Sequence, residues 1–118
     1  MSCQKVWDEI SKSPVITEEF IIFFQQEVNW NLICRHQKLS EDFIRTYLNR
    51  VNWSVISKYQ VLSEKFIDEF KENLDWEYIC KYQNLSLEFM KTHKHYLDKD
   101  NVELYQYVND DFLADLKN

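Results

Sequence analysis

Glycine is absent from this 118-residue sequence, and proline occurs only once, as Pro14. Without glycine the chain has no glycine-rich phosphate loop, no dinucleotide-binding turn and no nucleophile elbow. Several large classes of enzyme are thereby excluded. Because only Pro14 marks a break between helices, the helices must start and end through caps.

Long apolar runs are also absent, since the longest extends from Phe20 to Phe24. A transmembrane helix needs about 20 apolar residues, and the N-terminus lacks the charged-then-apolar pattern of a signal peptide. We therefore expect a cytoplasmic protein that does not bind membranes. In a reducing compartment Cys34 and Cys80 are expected to be small, reduced core residues. Cys3 does not share their position in the repeat and is given no role.

Basic residues are fewer than acidic ones: 14 Lys and Arg stand against 20 Asp and Glu, and the net charge is -6. Binding to a phosphate backbone depends on clustered Lys and Arg that release counterions. Direct binding of nucleic acid is therefore not expected.

The feature that the chain has in abundance is repetition, with a period of 23 residues. Residues 39–61 read LSEDFIRTYLNRVNWSVISKYQV, and residues 62–84 read LSEKFIDEFKENLDWEYICKYQN. Such a period is typical of arrays in which each repeat buries its apolar face against its neighbours. We predict one all-α domain over residues 1–118, a helical-repeat solenoid of about four to five repeats that degenerates at both ends. The predicted repeats are residues 1–15 (partial), 16–38, 39–61, 62–84, 85–107 and 108–118 (partial).

Each repeat is predicted to be a pair of short helices. In the first of the two repeats quoted, one helix runs from about Glu41 to Arg50 and a second from about Trp53 to Tyr59. Ser, Thr, Asn or Asp before each apolar period is a favoured N-cap. Helices are therefore predicted to begin just after Thr17, Asn29, Ser40, Asn52, Ser63, Asp75 and Ser86.

Two further positions recur where the second helix ends. The glutamines are interpreted as a ladder of amides that bond helix-end carbonyls, with a polar binding stripe as the alternative. The ring that precedes each glutamine is interpreted as packed against the core. The glutamines are Gln37, Gln60, Gln83 and Gln106, and the rings are His36, Tyr59, Tyr82 and Tyr105.

Residues with catalytic or metal-binding chemistry form no recognisable pattern. His93 and His95 lie two residues apart, whereas a zinc site on a helix would need ligands four residues apart, or a CxxC pair. Acidic pairs such as Glu41 and Asp42 fall in first turns, where they favour the positive end of the helix dipole. We expect no enzyme, and no catalytic, cofactor-binding or metal-binding residues.

Residues 16–84 follow the sequence pattern L/I-S/T-E-x-F-I-x-x-F/Y-x-x-x-V/L-N/D-W-x-x-I-x-K/R-Y/H-Q. This pattern resembles short helical repeats of giant DNA virus and phage or prophage proteins of unknown function. The resemblance implies a viral or phage origin, and so the cytoplasm of a host cell, but no particular chemistry. His93 takes the position of a Phe or Tyr and Lys99 that of the Trp, so we interpret the fourth repeat as a degenerate cap.

In a repeat array the recurring positions hold the core, so function is expected where positions vary or break the pattern. We predict a non-enzymatic protein–protein interaction module that binds a host or viral protein through its second-helix surface. Ile22 and Phe23 are either an exposed contact site or covered by residues 1–15. The predicted partner-binding residues are Leu32, Val55, Tyr78, Ile22, Phe23 and Leu87.

An alternative function uses the acidic surface. A small acidic inhibitor, similar in role to anti-CRISPR or other anti-defence proteins, would block a nucleic-acid-binding enzyme by occupying its basic surface. The residues predicted to form this surface are Glu41, Asp42 and Glu64. A third possibility is end-to-end stacking of copies, and the oligomeric state stays open.

Overall fold

The protein folds as a succession of short α-helices, seen in a computed structural model that describes residues 3–118. These residues form ten α-helices and one 3-10 helix, and they contain no β-strand. The predicted all-α class is therefore confirmed. The second helices begin at Trp30, Trp53, Trp76 and Lys99, so helix pairs recur at the predicted spacing. Met1 and Ser2 of the first predicted repeat lie outside the described residues.

Two compact units divide the chain, unit 1 at Met1–Gln60 and unit 2 at Val61–Asn118. In unit 1, the helix Trp30–His36 packs against Cys3–Lys12 and Trp53–Tyr59, and in unit 2, Lys99–Tyr105 packs against Trp76–Tyr82 and Asp110–Lys117. The helices of unit 1 are α1 (Cys3–Lys12), α2 (Glu18–Phe23), α3 (Trp30–His36), α4 (Glu41–Thr46) and α5 (Trp53–Tyr59). The helices of unit 2 are α6 (Glu64–Glu69), α7 (Trp76–Tyr82), α8 (Leu87–Thr92), a 3-10 helix (Lys94–Tyr96), α9 (Lys99–Tyr105) and α10 (Asp110–Lys117).

Side-chain caps start these helices. Ser40 Oγ accepts a hydrogen bond of 3.1 Å from the Phe43 N–H, and Asn52 Oδ1 accepts one of 3.2 Å from the Val55 N–H. Such bonds satisfy amides that have no partner inside the helix. Each predicted start is confirmed, at Glu18, Trp30, Glu41, Trp53, Glu64, Trp76 and Leu87.

The first helix of each pair is shorter than predicted, since α4 ends at Thr46 and not near Arg50. After Thr46 the chain forms tight turns, in which the Arg50 N–H donates to the Tyr47 carbonyl at 2.8 Å. The indole Nε1–H of Trp53 donates to the Leu48 carbonyl at 3.2 Å. The indole thus provides a partner for a carbonyl that a helix end leaves without one.

The interior is built from equivalent positions of successive repeats. Ile33 and Ile56 in unit 1, and Ile79 in unit 2, are completely buried. The position that follows each of these isoleucines is also fully buried, as Cys34, Ser57 and Cys80. Burying this apolar area supplies most of the stability, because isolated helices of seven residues would be marginal in water.

The buried cysteines have the predicted core role. Cys34 and Cys80 are free thiols without solvent exposure, whereas Cys3 is exposed. The Asp98 N–H donates to Cys80 Sγ at 3.4 Å, and the equivalent Asn29 N–H donates to Ser11 Oγ at 2.9 Å. Burial raises the pKa of the Cys34 thiol to about 11, and it raises the pKa of the Cys80 thiol to about 11 as well.

The glutamine ladder is confirmed. The Gln60 amide Nε2 donates to the Cys34 carbonyl at 2.8 Å and to the Gln37 carbonyl at 2.6 Å. Its Oε1 accepts from the Leu39 N–H at 3.0 Å. Gln106 makes the same three kinds of hydrogen bond in unit 2. These amides are occupied by backbone groups of neighbouring helices, so the interpretation as a polar binding stripe is wrong.

Candidate functional site

The predicted partner-binding residues of the second helices lie at the edge of the core. Leu32, Val55 and Tyr78 are the third residues of α3, α5 and α7, and each is half-buried. Each precedes a completely buried isoleucine. An apolar side chain in this place contributes to packing and still presents part of its surface to solvent.

The ring position near the end of the second helix is more exposed than predicted. Tyr59 is 40% exposed, Tyr82 45% and Tyr105 52%, and His36 is exposed too. The interpretation of these rings as packed against the core was wrong. Ile56 occupies the buried side of α5, and Tyr59 is the last residue of that helix. The signal that could have revealed the exposure is His36, since a polar ring is accepted at the same position.

Cations accompany the exposed ring of unit 1. The guanidinium carbon of Arg35 lies 5.1 Å from the centroid of the Tyr59 ring. Lys58 Nζ also lies 5.1 Å from that centroid. Cation–π contacts at exposed sites contribute about 0.5 to 1 kcal/mol each. We call the residues Arg35, His36, Lys58 and Tyr59 the tyrosine–cation edge of unit 1.

The equivalent edge of unit 2 is richer in rings. Lys81 Nζ lies 5.4 Å from the centroid of Tyr82 and 5.3 Å from that of Tyr105. The Tyr78 and Tyr82 ring centroids are 5.9 Å apart. The predicted residue Tyr78 therefore joins Lys81, Tyr82 and Tyr105 in one continuous group, the tyrosine–cation edge of unit 2.

Ile22 and Phe23 are both exposed, with Phe23 at 80%. The Phe23 ring contacts only the edge of the adjacent Phe24 ring among the described rings, at a centroid distance of 4.8 Å. Coverage by residues 3–15 is not observed, so the alternative of a buried pair is wrong for the described part of the chain. The exposed pair stays available as a contact site.

The acidic residues have structural roles that the sequence did not reveal. The Glu64 carboxylate accepts hydrogen bonds of 2.6 Å from the Ser86 N–H and 2.9 Å from the Ser86 hydroxyl. Glu18 accepts the equivalent pair from Ser40 at 2.7 and 3.0 Å. These glutamates thus connect one first helix to the N-cap of the next. Leu87, which is half-buried, stands at the same position in the following repeat and cannot accept such bonds.

Asp42 differs from these glutamates because it projects into solvent. Its side chain is largely exposed, and its Oδ1 lies 2.8 Å from the Arg45 guanidinium. An exposed pair of this kind contributes little to stability. Of the three residues predicted to form an acidic surface, Asp42 is therefore the most accessible to a partner.

The terminal repeat of unit 2 keeps its aromatic packing despite its divergent sequence. The His93 ring stacks on Phe89 at a centroid distance of 3.9 Å and an interplanar angle of 13°. His93 Nε2 lies 2.7 Å from Asp68 Oδ1, and this hydrogen bond lowers the pKa of Asp68. Lys99, at the Trp position, is exposed and begins α9. His93 thus keeps an aromatic ring at the position of the Phe or Tyr and adds a hydrogen bond to Asp68.

The altered pKa of Tyr96 in this unit has a hydrogen bond as its largest cause. The hydrogen bond from Tyr96 to Glu72 raises the pKa of the Tyr96 hydroxyl. No group of three or more His, Cys, Asp or Glu side chains within residues 3–118 is arranged to hold a metal ion. None of the helices in the same residues has the length and apolar content that a bilayer span requires.

The described residues define an all-α protein of recurring helix pairs that presents rings and cations on its second helices. Comparisons with protein-family models, curated proteins and solved structures find no match to this chain. The resemblance to viral and phage repeat proteins therefore stays a prediction. The function is inferred from the geometry of the surface alone.

Proposed function

We propose that the protein is a non-enzymatic protein–protein interaction module that holds its partner on the second-helix surface. The observation that carries this proposal is the exposure of Tyr59, Tyr82 and Tyr105 beside cations. Tyr and Arg are over-represented among the residues that dominate binding energy at protein interfaces. The half-buried Leu32, Val55 and Tyr78 add apolar area next to these rings.

The repeated contacts support a solenoid as the architecture of this module. In unit 1, α1, α3 and α5 pack in succession, and the glutamine ladder joins their C-terminal ends. We propose that stacking of this kind continues along the chain and gives a surface on which equivalent residues recur. We also propose, from the sequence pattern of the repeat, that this is a viral or phage protein that acts in the cytoplasm of its host.

The test is a selection of binding fragments from a displayed library of host and viral protein fragments. Selected fragments are measured against the wild-type protein and against a Val55→Ala/Tyr78→Ala variant. We expect the variant to lose at least about 2 kcal/mol of affinity, or roughly 30-fold, which is the usual threshold for interface hot spots. Circular dichroism of both proteins checks that the variant is folded. Equal affinity for both proteins would contradict the proposal.

A second candidate function is favoured by the distribution of charge. Unit 2 contains 7 basic and 13 acidic residues, so it carries the whole net charge of -6, while unit 1 contains seven of each. A phosphate mimic that blocks a nucleic-acid-binding enzyme would show such a concentration of acid. Its partner would be held mainly by long-range charge, which salt screens.

The same selected fragments distinguish this second candidate. The triple variant Glu41→Gln, Asp42→Asn and Glu64→Gln removes three negative charges and costs up to about 1 kcal/mol of helix-dipole stabilisation per site. Glu64→Gln also removes one of the two carboxylate oxygens that accept from Ser86, so circular dichroism checks that the variant is folded. We expect it to bind like the wild type, with little change as salt rises. Loss of binding in this variant, with a steep salt dependence in the wild type, would favour the acidic inhibitor.

A further inference from the structure

The second helices of unit 1 carry a cation at the same position of each. Lys12, Arg35 and Lys58 are equivalent in the repeat, and Lys38 follows Arg35 by three residues. Lys12 pairs with Glu9 at 3.0 Å. Within residues 3–118, neither Arg35 nor Lys38 forms an ion pair, although Arg35 lies over the Tyr59 ring.

Hydrogen bonds connect the C-terminal ends of α1, α3 and α5. Gln37 Nε2 donates to the Ser11 and Ser13 carbonyls at 2.8 Å each, which joins the end of α3 to the end of α1. Gln60 makes the equivalent bonds from the end of α5 to α3. Because packed helices lie about 8 to 10 Å apart, we expect the cations at the ends of α1, α3 and α5 to follow one another at roughly that spacing.

A cation near a helix C-terminus also favours the negative end of the helix dipole, and this accounts for a lysine or arginine there. It does not account for the arrangement of Arg35 over an exposed tyrosine. A guanidinium that lies over a ring without an ion-pair partner still has N–H groups that can donate to a carboxylate. The edge of unit 1 thus offers an unpaired donor fork beside apolar ring surface.

We propose that the tyrosine–cation edge of unit 1, together with the neighbouring Lys12 and Lys38, binds an acidic segment of the partner protein in an extended polyproline II conformation. The proposal rests on the protein-binding function proposed above and specifies the chemistry of its partner. A chain in the polyproline II conformation rises about 3.1 Å per residue with three residues per turn, so every third side chain returns to the same side after about 9 Å. Carboxylates at every third residue therefore match the spacing of the cations.

A nucleic acid is a less suitable occupant of the same edge. Proteins that bind single strands combine a positive groove with aromatic faces on which bases stack. Here Arg35 and Lys58 already lie over the Tyr59 ring, so less of its face is left for a base. The net charge of -6 also opposes a long polyanion.

Two fluorescein-labelled peptides of identical composition test the proposal. In the first, three glutamates are each separated by two neutral residues, and in the second the three glutamates are consecutive. Binding is measured by fluorescence anisotropy at low salt for the full chain. We expect the spaced peptide to bind at least about threefold more tightly than the clustered one, because only its carboxylates reach successive cations.

Variants locate the binding. Arg35→Gln should weaken binding of the spaced peptide about tenfold, whereas the matched control Arg45→Gln should leave it unchanged, because Arg45 lies on α4 and not on a second helix. Lys38→Gln is a second probe of the edge if Arg35→Gln affects folding, which circular dichroism reports. Equal binding of both peptides, or equal effects of the two arginine variants, would overturn the proposal. Tighter binding of a labelled oligothymidine than of the spaced peptide would also overturn it.

The fragment selection separates failure of this proposal from failure of the proposed function. Selected fragments that lack acidic segments and tolerate Arg35→Gln, but depend on Val55 and Tyr78, would overturn the acidic partner and leave the function standing. Selected fragments with spaced carboxylates that depend on Arg35 would support the partner chemistry. If no fragment depends on either surface, both proposals are wrong.

Discussion

The two units carry the same helical scaffold but different balances of charge. Unit 1 has equal numbers of acidic and basic residues, and unit 2 carries the whole net charge of -6. Ile33 and Cys34 in unit 1 are nevertheless buried like Ile79 and Cys80 in unit 2. The difference teaches that the repeat conserves its interior within one molecule while its solvent-facing positions are free to change.

The tyrosine–cation edges of the two units also differ at the surface while the helices that carry them are equivalent. In unit 1 the edge presents Arg35 and Lys58 over one ring. In unit 2 Lys81 lies over the rings of both Tyr82 and Tyr105. If the scaffold is common and the surface differs, then equivalent core changes should cost the same in both units, and surface changes should not.

The largest expected effect breaks the scaffold in either unit. Trp30→Ala and Trp76→Ala should each lose about 3 kcal/mol of unfolding free energy, because a large aromatic leaves a cavity. Trp30 packs on Tyr47 at 5.7 Å, and Trp76 packs on Tyr96 at 5.2 Å. Urea denaturation measures both losses. A loss below about 1 kcal/mol in one unit only would show that the scaffolds differ.

A smaller effect is expected from the glutamine ladder. Gln60→Ala leaves the Leu39 N–H and the Cys34 carbonyl without this partner, and a buried unsatisfied group costs about 1 to 3 kcal/mol. Gln106 is less buried, so Gln106→Ala should cost about half as much, since water can replace part of the amide. The exposed Gln26→Ala is the matched control and should be neutral in the same urea experiment. Equal costs at Gln60 and Gln106 would contradict this ranking.

The smallest effect on stability concerns the buried thiols, one in each unit. At pH 8, Cys3 should react quickly with a thiol reagent, while Cys34 and Cys80 should react only on unfolding. Burial raises the pKa of each buried thiol to about 11, above the unfolded value of about 8.5. The neutral thiols therefore contribute stability that is present below about pH 8.5 and is lost as the pH rises toward the folded pKa.

Rapid labelling of Cys34 but not of Cys80 in the native state would show that unit 1 opens more easily than unit 2. Single-cysteine variants with serine at the other positions make this comparison direct. Serine is a suitable replacement because Ser11 and Ser57 occupy the equivalent buried position.

The helix starts and the all-α class were readable from the sequence because their causes are local. Ser40 and Asn52 cap amides three residues further along the chain, and the apolar period repeats within each helix. The core role of Ile56 and of the cysteine position followed from the same period. Interactions that span three or four residues leave their pattern in the sequence itself.

Only the tertiary structure decided where the first helices end, which rings are exposed and what the acidic residues do. α4 ends at Thr46, and the Trp53 indole donates to the Leu48 carbonyl in the turns that follow. Glu18 binds Ser40 across 22 residues, a contact that no local period predicts. Tyr59 belongs to the apolar stripe by spacing, yet it is exposed because α5 ends there and its neighbour α3 supplies a cation instead of a covering side chain. Spacing along the chain specifies the side of a helix, whereas the neighbours that pack on that side depend on how separate helices come together.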